Sequence, residues 1–275
     1  MLKGMLGTLS LASLARPVTE LYTHLAGENG SGWLVELGKF IRKEPCWVEI
    51  VGAQATQPKP KTQLLQLVSM FPIPARTRPF FVGESFVVNV ADHAPAQIIY
   101  VSPNFTNWFG GVLEEPSVEV ACRSHKLPKG SVDGPIIDEC GGVPNVISSL
   151  GGVYHLMKKQ PKGPKSPANQ LLTSRNKWNI FYVPQPVTRI SNTEFSYTDS
   201  ANKKVVEKVK DSRYLFAVDG QWLVLRAVLV CWKVGGWIVG TRSVENPDAW
   251  HTGDRVFSRN SFDFMSSEPV APVKP

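Results

Sequence analysis

Close-spaced metal ligands, phosphate-binding glycine runs and long apolar stretches are all missing from this sequence. Its four cysteines (Cys46, Cys122, Cys140, Cys231) are scattered without a C-x-x-C pair. That excludes zinc ribbons and thioredoxin-like sites, in which two thiolates must reach one centre from one turn. The five histidines (His24, His93, His125, His155, His251) form neither H-E-x-x-H nor H-x-H, so no metal site is expected. G-x-G-x-x-G, G-x-x-x-x-G-K-[ST] and G-x-S-x-G are absent, and the nearest phosphate-loop-like string, Lys162 to Ser166, is proline-interrupted. No cofactor is therefore expected. No stretch approaches 18 uncharged apolar residues, so no membrane span is expected. Met1 to Ala15 carries one lysine and an apolar run diluted by Gly4, Gly7, Thr8 and Ser10, a poor fit to a secretory signal. Together with unpaired thiols, this makes the cytoplasm the default location.

What the chain does hold is strand texture. Of 275 residues, 43% are hydrophobic and 19% charged, with 22 Gly and 22 Pro, which favours short strands and turns over a helical bundle. The most informative segment is YLFAVDGQWLVLRAVLVCWKVGGWIVGT, Tyr214 to Thr241. It reads as three apolar strands separated by glycine turns at Asp219-Gly220 and Gly235-Gly236, and such turns pair neighbours antiparallel. The middle strand, Trp222 to Trp232, is apolar on both faces apart from Arg226, the signature of a strand covered on both sides.

Residues 13–43 read as helical. The stripe Trp33, Leu34, Leu37, Phe40 and Ile41 follows a break at Gly27 to Gly32, with Ser31 as N-cap and Glu44-Pro45 as the stop. That stripe is expected to face a core. Strands are expected at 46–52, 63–71, 80–90, 97–102, 117–123, 178–183 and 255–257, and one helix at 144–160. Asn104 to Gly111 reads as a loop or helical turn whose rings plug a core edge. The stretch PKGPKSPANQ, 161–170, is either a domain boundary or a long surface loop. The expected fold is α+β, mainly antiparallel sheet with a helical N-terminal segment and one mid-chain helix. Its expected divisions are residues 1–45, 46–160 and 171–264, with a disordered tail at 265–275, or all of these as one domain.

Candidate chemistry is sparse. Asp133, Asp138, Glu139 and His155 are the acidic and histidine residues an acid–base site would draw on. The glycine-bearing segment Gly130 to Gly142 and the polar string Ser258-Arg259-Asn260-Ser261 are the first places to look for a site. Trp108, Phe109, Trp250 and Phe257 are aromatics near turns that suit contact patches. The string Trp250-His251-Thr252-Gly253-Asp254 is similar to a ribose-holding motif of acyl-adenylating enzymes, but no phosphate loop precedes it. The strings WLVELGKFIRKEPCW, SVDGPIIDECGG, IFYV, LRAVLVCWKVGGW and SVENPDAW followed by VFSRNS span about residues 20–262, with 184–212 looking like an irregular insert. Together they resemble a group of hypothetical proteins from bacteria of the candidate phyla with reduced genomes. That resemblance implies a bacterial whole-chain domain and carries no assigned activity.

Three functions follow in order of preference. The first is a non-enzymatic binding or structural protein that acts through a protein surface, with a protein as partner. The second is a small hydrolase or transferase. The third is a nucleic-acid binder, suggested by the net charge of +7 but without a groove-reading motif.

Overall fold

The computed structural model describes residues 63–174 and 176–259, together with residues 19, 21–23, 25–27 and 30–42. The expectations for Met1 to Ala15, Cys46, the strand at 46–52, Asn260, Ser261 and the tail fall outside the described residues. The chain forms two compact units, residues 1–61 and 62–275. In the first, helix α1 spans Gly30–Ile41. It starts before Ser31, which is therefore a helical residue and not its cap, and Leu34 and Ile41 of its apolar stripe are exposed.

The second unit is built on a mixed ten-stranded sheet. Its strands are β1 (Gln66–Ile73), β3 (Ile98–Val101), β5 (Val120–Lys126), β6 (Asn179–Arg189), β7 (Glu194–Thr198), β8 (Lys204–Lys208), β9 (Leu215–Val218), β10 (Gln221–Lys233), β11 (Gly236–Ser243) and β12 (Arg255–Arg259). A separate pair joins β2 (Phe80–Phe81) to β4 (Leu113–Glu114). The helices are α2 (Val82–Ser85), α3 (Pro103–Phe109), α4 (Asp133–Glu139), α5 (Val143–Val146) and α6 (Leu150–Lys159). The main path runs β1-β5-β12-β6-β10-β11-β3. Most pairs are antiparallel, as expected, while β11–β3 and β12–β6 are parallel, so the sheet as a whole is mixed.

The spine is the antiparallel pair β6–β10, in register from Trp222↔Val187 to Val230↔Asn179. The meander expected over Tyr214 to Thr241 is present as β9, β10 and β11. Asp219 and Gly220 both take positive φ, 49° and 80°, as a type I′ hairpin turn requires. The second turn is centred on Val234-Gly235, because Gly236 already pairs with Lys233. Along the spine, alternate residues enter two different apolar clusters. Phe181, Val183, Val228, Val230 and Phe257 belong to one, and Ile180, Tyr182, Leu225, Ala227 and Val256 to the other. Side chains alternate across a strand, so both sheet faces are covered. Helix α6 supplies Val153, Leu156 and Met157 to the first cluster, and α4 supplies Ile136 and Ile137 to the second.

Four local expectations are corrected by the structure. The apolar run 80–90 folds back instead of extending. Only Phe80–Phe81 is strand, and α2 follows because bare Gly83 lets the chain meet the Gly110 carbonyl, 2.3 Å from where a Cβ would stand. Phe86 is then buried while Val88 and Val90 face solvent. The helix expected at 144–160 is two helices. At the break Ile147 is extended and bridges Tyr182, and Ser148 N donates to the Tyr182 carbonyl at 2.7 Å. Ser149 then caps α6 by accepting from Gly152 N. The turn-like segment 130–142 contains α4, stopped by Gly141 and Gly142 at φ 91° and 92°. The irregular insert at 184–212 is the second half of β6 and the β7–β8 hairpin.

The proline-rich stretch 161–170 is a loop anchored at both ends. The Gln160 side chain pairs with the backbone of Leu171 in both directions, and Asn179 does the same with Leu172. Gly163, at φ +53°, sits against the Trp232 ring, 2.2 Å from the position of a Cβ. Gly163→Ala combines a left-handed backbone with overpacking against that ring. It should lower unfolding free energy in urea titration by about 2–4 kcal/mol, while Gly111→Ala, where a Cβ meets nothing within 4 Å, should change it by less than about 1 kcal/mol.

Candidate functional site

An open groove of about 890 Å³ lies between α3 and the strands β6 and β7. Its position follows from the sequence of β6. Ser148 bonds to Tyr182 on the side of β6 away from β10, so residues 184 and 186 face that same side, and both are proline. Neither has an N–H to extend a ladder. Strand β12 leaves β6 after Ile180 and β7 joins only at Thr188, and the groove occupies this interruption. Helix α3 forms the opposite wall. It starts where Ser102 accepts from Phe105 N and Pro103 follows, and it buries Phe105 and Phe109 while leaving Trp108 on the groove. Ser200, in the β7–β8 turn, donates to Asn107 of α3 at 2.5 Å and ties the rim across the groove.

A polar network runs from the groove wall, where Trp108, Tyr197 and Gln185 stand, to the buried Arg226. The Trp108 indole N–H donates to the Tyr197 hydroxyl at 2.9 Å, which donates to Glu207 at 2.8 Å. The other Glu207 oxygen takes Arg226 Nη2 at 2.7 Å, and Arg226 Nε donates to Gln185 at 2.8 Å. The guanidinium carbon stands 3.8 Å from the centre of the Trp108 ring, a close cation–π stack. Burial pulls the Arg226 guanidinium down, against Glu207, which holds it charged. Burial, with the Glu207 carboxylate that accepts its proton, pushes the Tyr197 phenol up to about 12. Tyr197 therefore remains a donor, and Trp108 itself lines the groove. The groove walls add neutral donors and acceptors, among them Thr106, Asn107, Thr188, Thr198 and Asn202.

The residues singled out in the sequence are dispersed by the fold. Asp133 is fully buried and accepts from Tyr182 Oη at 2.8 Å, Trp250 Nε1 at 2.7 Å and Arg242 Nη2 at 3.3 Å. Burial pushes its carboxyl up, opposed by Arg242 and by those hydrogen bonds. Trp250 is thus a structural anchor under the Arg242 guanidinium, 3.5 Å from its ring centre, and not an exposed patch. Asp138 pairs with Arg213 at 2.5 Å on the surface. Glu139 accepts from the backbone of Leu64 and Leu65 ahead of β1. His155 lies on α6, against the other sheet face, beside a smaller cavity that Arg259 also lines. Phe109 and Phe257 are core residues with no exposure, because both point into the first cluster. The Asp254 carboxylate accepts from Trp178 N and His251 N, so the Trp250–Asp254 string closes a turn.

Ser258 is buried, and its hydroxyl is 3.0 Å from His125 Nε2. The two are diagonal neighbours on β12 and β5, a pairing that strand register produces and that residue spacing in sequence does not reveal. The sequence reading also missed Tyr197, Glu207 and Gln185. The one signal pointing to them was Arg226, a lone charge in an otherwise apolar strand. Among the described residues, no group of three or more His, Cys, Asp and Glu stands ready to hold a metal ion, and no helix is long and apolar enough to cross a membrane. Compared with protein-family models, with curated proteins and with solved structures, the chain matches none.

Two measurements check this account. Glu207→Gln leaves the buried guanidinium without its carboxylate and should cost about 2–3 kcal/mol in urea unfolding. That is below the ~3–5 kcal/mol of a fully enclosed pair, since the Glu207 side chain keeps 29% exposure. The Arg226→Met/Glu207→Gln double variant should recover part of the loss. Burial pushes the Cys122 and Cys140 thiols up to about 12 and Cys231 to about 11. In a Cys46→Ala background at pH 8, Ellman's reagent should react on the order of a hundredfold more slowly with native than with urea-unfolded protein.

Proposed function

We propose that the protein is a non-enzymatic binding protein that acts through its surface, and that the Trp108 groove holds an extended segment of a partner polypeptide. The observation that carries this reading is the character of the groove. A rigidly supported indole stands among amides and hydroxyls, with one carboxylate, Asp199, and one ammonium, Lys204, on the same lining, a mix that matches the donors and acceptors of a peptide. Trp and Tyr supply contact area at little entropic cost when their rings are already fixed. Here Trp108 is held by Tyr197 and Arg226 before any ligand arrives. The acidic residues that a hydrolytic site would draw on are engaged elsewhere, Asp133 in a buried lock and Glu139 at a backbone cap. That arrangement supports binding over turnover.

The test is peptide-display selection on the full chain, followed by calorimetry of the enriched peptides. Thr198→Arg, at an exposed lining position, should weaken binding at least about tenfold. Val234→Arg, at a turn residue 98% exposed, should not. Failure to enrich any peptide, or binding indifferent to Thr198→Arg, would sink the proposal.

A second reading, a hydrolase, is favoured by the Ser258–His125 contact alone, the geometry of a nucleophile beside its base. A serine-directed fluorophosphonate probe decides it: labelling of Ser258 in the native protein, abolished by His125→Gln, would replace the binding proposal.

A further inference from the structure

An uncharged cleft of about 310 Å³ opens where α2, α3 and the end of β3 meet. The buried Val82, Phe86 and Phe105 line it, together with the half-buried Val101 and the exposed Val87 and Val88. Thr106 carries the one polar side chain on this lining, and its hydroxyl donates back to the Ser102 carbonyl at 3.5 Å. The Phe86 and Phe105 rings touch, with centres 4.9 Å apart, and Phe86 also meets Tyr154 at 5.3 Å. Ring packing therefore fixes the aromatic part of the cleft in place.

The valines are exposed on a pinned backbone. Phe86 N donates to the Val82 carbonyl at 2.9 Å, and Asn89 exchanges both backbone bonds with Ile98, at 2.9 and 3.0 Å. Val87, Val88 and Val90 are thereby held outward at 45%, 61% and 59% exposure. Apolar side chains clustered beside an uncharged cleft mark a contact site, because their area stays wet until a partner covers it.

The Trp108 groove adds the second observation. Gly83, Thr106 and Gly110 line both the groove and the cleft. Two of these three shared residues have no side chain, and none is charged. An extended chain lying in the groove therefore reaches the cleft over Gly83 and Gly110.

We propose that the cleft is the specificity pocket of the groove, and that the partner polypeptide seats one large apolar side chain there, a leucine, isoleucine, methionine or phenylalanine. This rests on the reading of the groove as a peptide site and adds what the peptide must carry. A charged side chain finds no counter-charge on the lining and would lose its hydration uncompensated. An apolar one is stabilised by burial of its own area and that of the valines.

Peptides enriched by display on the full chain should share one large apolar position. Replacing that residue with serine should weaken binding at least about tenfold in calorimetry. Val88→Asp puts a carboxylate on the cleft and should cost a similar factor. Val90→Asp, equally exposed but off the lining, should stay within about twofold. The serine-substituted peptide should bind native protein and Val88→Asp alike, since the side chain that meets the new charge is gone. Peptides that need Thr198 but share no apolar position overturn the specificity pocket and leave the groove reading standing, and equal losses from Val88→Asp and Val90→Asp do the same. Peptides that depend on Val88 but ignore Thr198→Arg mean that the cleft serves a different partner, which overturns both readings, as does failure to enrich any peptide.

Discussion

The burial of Arg226 is the constraint on which the rest of this architecture turns. A guanidinium that is 2% exposed in the longest strand of the sheet is tolerable only when its N–H groups and charge are met. Glu207 and Gln185 meet them, and Trp108 and Phe195 cover the remaining surface. Those partners come from four different elements, α3, β6, β7 and β8. Satisfying one cation therefore dictates where the β7–β8 hairpin lies and how α3 is turned, and these two elements are the groove walls.

The same device recurs on the other sheet face with the sign reversed. Asp133 is the buried charge, and Tyr182, Arg242 and Trp250 close around it from β6, β11 and the loop before β12. In both locks an arginine guanidinium stands over a tryptophan ring. The indole does double duty: its face covers the guanidinium while its N–H joins the hydrogen-bond network. Each lock specifies one arrangement of helix on sheet that apolar packing alone would leave less strictly defined.

The parts of this fold legible in the sequence were those encoded by neighbours. The meander over Tyr214 to Thr241 could be read because Asp219-Gly220 and the glycines near Val234 sit between strands whose apolar character is continuous. Helix α4 could not, because Gly134-Pro135 looks like a turn, although Asp133 and Pro135 in the first turn with Gly141-Gly142 after it form a coherent start and stop. The β7–β8 hairpin hid behind polar alternation in Lys204 to Lys208. Of the candidate site residues, Trp108 lines the groove, and His155 and Arg259 share the smaller cavity. Asp133, Trp250 and Ser258 instead find partners 49 to 133 residues away in the chain, which no local pattern encodes. The one non-local feature visible beforehand was Arg226, since a charge in an apolar strand implies a hidden partner without naming it.

The prolines at 184 and 186 carry a consequence for recognition. An open flank of a sheet ordinarily invites another chain to zip alongside it through main-chain hydrogen bonds. Here the flank has been stripped of the two amide protons that such annealing needs. Whatever enters must be gripped by amide, hydroxyl and ring, so selectivity is written in side-chain shape, and runaway strand-by-strand self-association has no foothold at this edge.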